Sequence, residues 1–303
     1  HYGLTQIEKL AHTSMLSTYL KLLGVAFFWG GTFVAGRSLA GQVPPVAAAF
    51  FRFALAAIIL LVVVWRTEGF PRLNLRQFLT IISLGATGVM AYNLFFFKGL
   101  STIGAGRASL IIALNPVFIA LASTLIYQEI LPIRRAAGIV LSISGAMIVI
   151  TRGAPLSILS GGIGQGELLI FGCVLSWTLY SIIGKIAMRG LSPLVAVCYS
   201  SLAGALMLFL LALGQGQLTT VFSYPATAWL ALFYLGLFGT VIGFFWYFQA
   251  IARIGPSRAA VFINFVPVNG VLLATLILDE PLTLSLLTGG ALVVCGSYLA
   301  NSK

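Results

Sequence analysis

The stretch IGAGRASLIIALNP at residues 103–116 is read again as IGPSRAAVFINFVP at residues 254–267. Both copies open on Ile-Gly, carry Arg-Ala at the same offset and close on a proline. Outward from it, Leu84, Gly85 and Gly88 return as Leu235, Gly236 and Gly239. Thr124, Glu129, Gly138 and Gly145 return as Thr275, Glu280, Gly289 and Gly296. Every step is 151 residues. Nearer the N-terminus, Gly24, Trp29, Gly36 and Pro45 return as Gly172, Trp177, Gly184 and Pro193 at a step of 148, with Lys185 in place of Arg37. The three-residue change of step marks an insertion between the second and third segments of the repeat. The chain is therefore a duplication.

Composition sets the solvent. Hydrophobic residues are 60% of 303 and charged residues 8%, far outside soluble-domain usage. Such a chain turns its apolar surface to lipid. Its net charge of +11 sits between apolar stretches and reads as topology signals, so nucleic acid is not an expected partner. Cys173, Cys198 and Cys295 are isolated within apolar segments and form no disulfide or metal framework. No cofactor is expected.

A span needs about 20 apolar residues. Ten are placed, at 20–41, 45–66, 75–98, 104–127, 133–151, 166–188, 193–214, 226–251, 256–277 and 282–300. Each repeat then holds five, and an odd number inverts the second copy relative to the first. The expected fold is an all-α polytopic membrane protein of ten transmembrane helices in two inverted five-helix repeats, residues 16–152 and 166–303, joined by a linker at 153–165. Residues 1–15 are polar, start without Met and are set aside as foreign to the fold.

The basic residues test this count. With the N-terminus inside, Lys9, Lys21, Arg66, Arg72, Arg76, Arg134, Arg135, Lys185, Arg189, Arg253, Arg258 and Lys303 lie on the inner side, twelve in all; Arg37, Lys98, Arg107 and Arg152 lie outside. That bias places both termini in the cytoplasm.

Together these features resemble the drug/metabolite transporter superfamily, EamA type. The resemblance is carried by Trp29-Gly30, Gly36-Arg37, and the block Ile103-Gly104 through Asn115-Pro116 to Glu129, with its second copy ending at Pro267 and Glu280. It covers about residues 16–300. Within the superfamily the chain looks most like the aromatic amino acid exporters of the YddG type in bacterial inner membranes. That likeness implies export of aromatic and other neutral amino acids, in a monomer or weak dimer embedded in the bilayer. It also implies a cavity lined by the first, third, fourth, sixth, eighth and ninth spans. Another metabolite or a drug of the same superfamily is the alternative substrate.

The residues expected to line the path carry polar or aromatic groups at mid-span. Tyr92 brings a hydroxyl deep into the third span, with Phe96 one turn on. Trp29 and Trp177 are repeat equivalents far from the interfaces where tryptophans usually sit, and Tyr180 shares the face of Trp177. Asn115 and Asn264 stand beside prolines. Pro116 and Pro267 interrupt the fourth and ninth spans and are expected to act as hinges. A fixed kink, with side-chain amides closing the freed backbone bonds, is the alternative. Arg52 lies two turns into the second span. There it must snorkel, pair, or meet a substrate carboxylate.

Acids are few: Glu8, Glu68, Glu129, Glu167, Asp279 and Glu280, none central in a span. Ion-driven carriers usually hold a carboxylate or histidine at mid-depth, so facilitated or weakly coupled transport is expected. The same absence argues against a membrane-embedded enzyme, which needs an acid–base pair or metal ligands. Glu129 and Glu280 end equivalent spans and are expected to act as end caps or salt-bridge partners.

Overall fold

The computed structural model describes residues 2–127, 132–154, 156, 163–254 and 262–301. These residues form helices and short connections, with no strand among them. Glu129, Gly255, Pro256, Arg258 and most of the expected linker lie outside the described residues.

Among the described residues, eight helices are long and apolar enough to cross a membrane: Met15–Ser38, Pro45–Thr67, Leu75–Leu100, Ala105–Ile126, Ile133–Ile150, Gln165–Ala187, Pro193–Gly214 and Ala226–Ala250. They are numbered first to eighth below. Two shorter apolar helices, Phe265–Leu278 and Leu284–Ala300, follow as the ninth and tenth. Local chemistry fixes several starts. Pro45 and Pro193 occupy first-turn positions where a missing N–H costs least. The third helix begins with a capping box: Gln77 N donates to Asn74 Oδ1 at 2.8 Å, and Asn74 N donates to Gln77 Oε1 at 3.0 Å.

Four expected helices are less regular than their hydrophobic patterns. The third contains a π-helical segment, Gly85–Ala91, and the eighth contains Leu237–Ile242. The two fall at matching repeat positions. In the eighth, Thr240 Oγ1 donates five residues back to Leu235 O at 3.0 Å, which suits the wider π turn. The fourth is not continuous. It stops at Ile112 and resumes at Asn115, with Ala113 and Leu114 in a turn. The proline ring at 116 cannot donate and crowds the carbonyl four residues back, so the break precedes Pro116. The ninth helix repeats this pattern, with Asn264 in a turn before Pro267. Its regular part, Phe265–Leu278, has 14 residues, shorter than the expected 256–277.

In lipid, helices associate through close backbone approach at small residues. The fifth and tenth helices do so through four glycines. A Cβ on Gly138 would lie 2.7 Å from Gly296 O, and one on Gly145 would lie 2.6 Å from Gly289 O. The reverse contacts are 2.6 Å and 2.7 Å. Early residues of one helix meet late residues of the other, so the pair is antiparallel. A Cβ on Gly85 in the third helix would likewise lie 2.9 Å from the backbone N of Gly204 in the seventh, and one on Gly236 in the eighth 3.0 Å from Arg52 O in the second. These contacts bring helices of the two copies against each other and leave the first, third, sixth and eighth to meet at the centre.

Candidate functional site: an aromatic cluster beside a buried arginine

Rings from those four helices form one connected cluster. Phe33 and Phe96 are 5.5 Å apart by centroid, and Phe96 stacks on Tyr92 at 5.9 Å. Tyr92 meets Trp177 at 5.6 Å, and Trp177 meets Tyr180 at 5.2 Å. Trp177 reaches Phe244 at 6.4 Å, Phe244 meets Trp29 at 5.5 Å, and Trp29 meets Tyr247 at 5.4 Å. Phe96 is buried, while Tyr92, Trp177, Trp29, Phe244 and Tyr247 are half-buried.

Glycines let these rings sit inside the bundle. A Cβ on Gly88 would collide with the Tyr180 ring, and one on Gly243 with the Trp29 indole. At Gly36 the added carbon would be 2.9 Å from Phe96. Trp29 is further fixed by its indole N–H, which donates to Gly239 O at 3.0 Å.

Five of the sequence candidates, Tyr92, Phe96, Trp177, Tyr180 and Trp29, thus belong to one cluster. Asn115 and Asn264 make no described hydrogen bond to it. The Oδ1 of Asn115 is buried and lacks a hydrogen-bond partner, while Asn264 forms the turn before the ninth helix. Pro116 is half-buried and Pro267 buried, each just after its helix break. The carbonyl of Ala113, at the first break, accepts a hydrogen bond from Ser297 Oγ at 2.9 Å. Asn269 Nδ2 donates to Phe265 O at 3.0 Å. A side chain therefore closes a backbone group at the first break, a serine rather than an amide, while the Asn269 bond lies within the ninth helix after its break.

Sequence reasoning did not single out Phe33, Phe244, Asn93 or Thr240. The repeat offset carries part of the signal: Tyr247 stands 151 residues after Phe96, and Phe244 stands 151 after Asn93. Nothing in the sequence marks Phe33 apart from many other phenylalanines.

Arg52 borders the cluster and does not snorkel; its residue is 8% exposed. Its Nη1 donates to Asn93 Oδ1 at 3.1 Å and its Nε to Thr240 Oγ1 at 3.3 Å. The guanidinium lies 5.2 Å from the Phe53 ring centroid and 5.9 Å from that of Phe96. Asn93 is held in turn by donating its Nδ2 to Val89 O at 2.8 Å. Arg52 is thus gripped between the two π-helical regions.

The acids whose side chains are described are engaged elsewhere. Glu167 pairs with Arg107 at 3.1 Å. Glu68 accepts from Ser192 Oγ. Glu280 accepts from the N–H groups of Ala105 and Gly106 at 2.6 and 3.0 Å, capping the fourth helix from the end of the ninth. Asp279 sits at the ninth helix's C-cap in a left-handed conformation.

Wider grooves open elsewhere. One, about 490 Å³, is lined by Leu75, Arg76, Leu79, Thr80, Ser83, Ile183 and Ile186 between the third and sixth helices. It does not touch the aromatic cluster, and its mainly apolar walls suit lipid contact.

The family model for EamA-like transporters matches residues 16–151 and again residues 164–302. The chain belongs to the EamA-like transporter family. It is 30% identical over 287 residues to the uncharacterized transporter YyaM of Bacillus subtilis, covering 94% of both chains. It is 28% identical over 242 residues to a probable terminal-alkyne amino-acid exporter of Streptantibioticus cattleyicolor, covering 78% of this chain and 77% of that one. A crystal structure with 22% identity superimposes with a TM-score of 0.64, covering 94% of this chain and 96% of the other. At that identity the likeness concerns the fold. As an EamA-like transporter the chain is a multi-pass membrane protein, and the central cluster lies where helices from its two family-matched halves meet.

Proposed function

We propose that this EamA-like transporter exports amino acids, aromatic and other neutral ones, across the bacterial inner membrane by alternating access. The observation that carries the reading is the ring cluster drawn from both halves, which offers stacking surfaces to a planar apolar side chain. The named amino-acid exporter among its relatives adds support. The helices form two inverted five-helix repeats with both termini cytoplasmic. Antiparallel packing of the equivalent fifth and tenth helices and the twelve-to-four split of basic residues both favour this arrangement. Substrate sits between the halves, and the broken fourth and ninth helices move. The protein works as a monomer or weak dimer in lipid.

Transport is facilitated or weakly coupled. Glu167, the described acid that is buried, lies in the first turn of the sixth helix and is neutralised by Arg107. A sharp dependence on external pH in vesicles without a membrane potential would contradict this.

Counterflow in proteoliposomes with labelled phenylalanine, tyrosine, tryptophan and leucine tests the substrate class. Saturable exchange of the aromatic amino acids is expected. Robust flux of another solute class with none of these would replace the reading by a different metabolite or drug exporter.

A further inference from the structure

The grip on Arg52 is chemically incomplete. A guanidinium carries five N–H donors and stays charged at any working pH. The structure gives this one two hydrogen bonds, both to neutral oxygens. Its Nη2 makes neither of them and lies 3.8 Å from the position of a Cβ on Gly239. An isolated buried charge costs several kcal/mol on the usual scale, and no described carboxylate offsets it. The ring faces of Phe53 and Phe96 help, but supply only part of what an anion would.

The repeat makes the placement more pointed. At the repeat offsets, Arg52, Asn93 and Thr240 correspond to Ser200, Phe244 and Val89. One pole of the centre is therefore cationic and hydrogen-bonding, and its counterpart is neutral and largely apolar. A ligand with one anionic end and one apolar end has a single favourable orientation there.

We propose that Arg52 is the docking point for a substrate carboxylate, held ready by Asn93 and Thr240, with the substrate's apolar side chain against Tyr92, Phe96 and Trp177. Nη2 and the unused hydrogens of the guanidinium meet the carboxylate. This deepens the amino-acid reading: the transported species must carry a free carboxylate. Asn93 and Thr240 are positioning residues.

The test compares acid and amide forms of one skeleton. In proteoliposomes, L-phenylalanine is expected to exchange at least about tenfold better than L-phenylalaninamide or phenethylamine, the size of one charge-assisted hydrogen-bond pair. Arg52→Gln is expected to raise the KM for phenylalanine about tenfold and abolish the preference for acid over amide; Arg52→Lys should keep much of that preference. Equal transport of acid and amide by the wild type, or an unchanged KM in a well-folded Arg52→Gln protein, overturns the proposal and leaves amino-acid export standing. If Arg52→Gln does not fold, the wild-type and Arg52→Lys preferences decide. If no amino acid moves, the amino-acid reading fails by itself. Thermal stabilisation of purified protein by phenylacetate against phenylacetamide then decides: preference for the acid in the wild type but not in Arg52→Gln upholds the site, and its absence removes it.

Discussion

The indole N–H of Trp29 donates to the carbonyl of Gly239, 210 residues away, at 3.0 Å. Gly239 lies in the π-helical segment of the eighth helix, where the backbone ladder is displaced and a side-chain donor has a carbonyl to meet. The bond ties the aromatic cluster to the irregular part of that helix. Trp29→Phe keeps most of the ring surface and loses the donor. It should cost about 1 kcal/mol of stability and slow counterflow more than that small loss suggests. The check is thermal unfolding in detergent beside proteoliposome rates. Unchanged transport at a lowered Tm would make the bond purely structural.

The duplication, the apolar spans and the family were legible because each is a long-range pattern in residue type. Tyr92, Phe96, Trp29, Trp177 and Tyr180 were legible for a simpler reason: an aromatic at mid-span, away from the interface, needs an explanation. The π-helical segments were not, because the residues of Gly85–Ala91 mark no break in the apolar span, and the approach of Gly85 and Val89 to Gly204 in the seventh is a tertiary contact. The service of Ser297 to Ala113, 184 residues away, is a tertiary event with no local mark. Arg52 was visible as an anomaly, but its partners Asn93 and Thr240 come from two other helices.

The helix breaks can be tested through that serine. Ala113 O has lost its helical partner at the turn and accepts from Ser297 Oγ, which also contacts Ser142 Oγ at 3.1 Å. Ser297→Ala strands a part-buried carbonyl and should destabilise the protein by about 1 kcal/mol. Pro116→Ala and Pro267→Ala should instead slow transport more than they reduce folded yield, if the breaks are the moving joints. Equal losses of yield and rate would mark the kinks as static. Size-exclusion yield and counterflow on the same preparations separate the two.

The glycine seam predicts a different phenotype. A Cβ on Gly145 would lie 2.6 Å from Gly289 O, and one on Gly296 2.6 Å from Gly138 O, distances that require the backbones to part. Gly145→Val and Gly296→Val should each lower folded yield severely, because close approach is what holds helices together in lipid. Gly41, with φ 77 and open space around it, is strained by a side chain for conformational reasons alone and should lose much less. Fluorescence-detected size exclusion ranks the three. Normal yield from Gly145→Val would mean that the seam opens without cost.

Glu280 offers a test of which contacts must break during a transport cycle. Its carboxylate oxygens accept from the N–H groups of Ala105 and Gly106, at a helix N-terminus where an anion is favoured by both the free donors and the helix dipole. Gly104 makes room for it: a Cβ there would lie 2.7 Å from Glu280 Oε2. The lock joins the end of the ninth helix to the start of the fourth, so it spans the two halves. If the halves rock apart at this end, the lock opens once per cycle. Glu280→Gln keeps the size and one acceptor but removes the charge. Hydrogen exchange of residues 105–112 should then quicken several-fold, since charged hydrogen bonds are roughly twice as strong as neutral ones. Exchange in the fifth–tenth seam should not change, which separates local opening from general loosening. Unaltered exchange at 105–112 together with unaltered transport would show that the contact does not govern opening at this end.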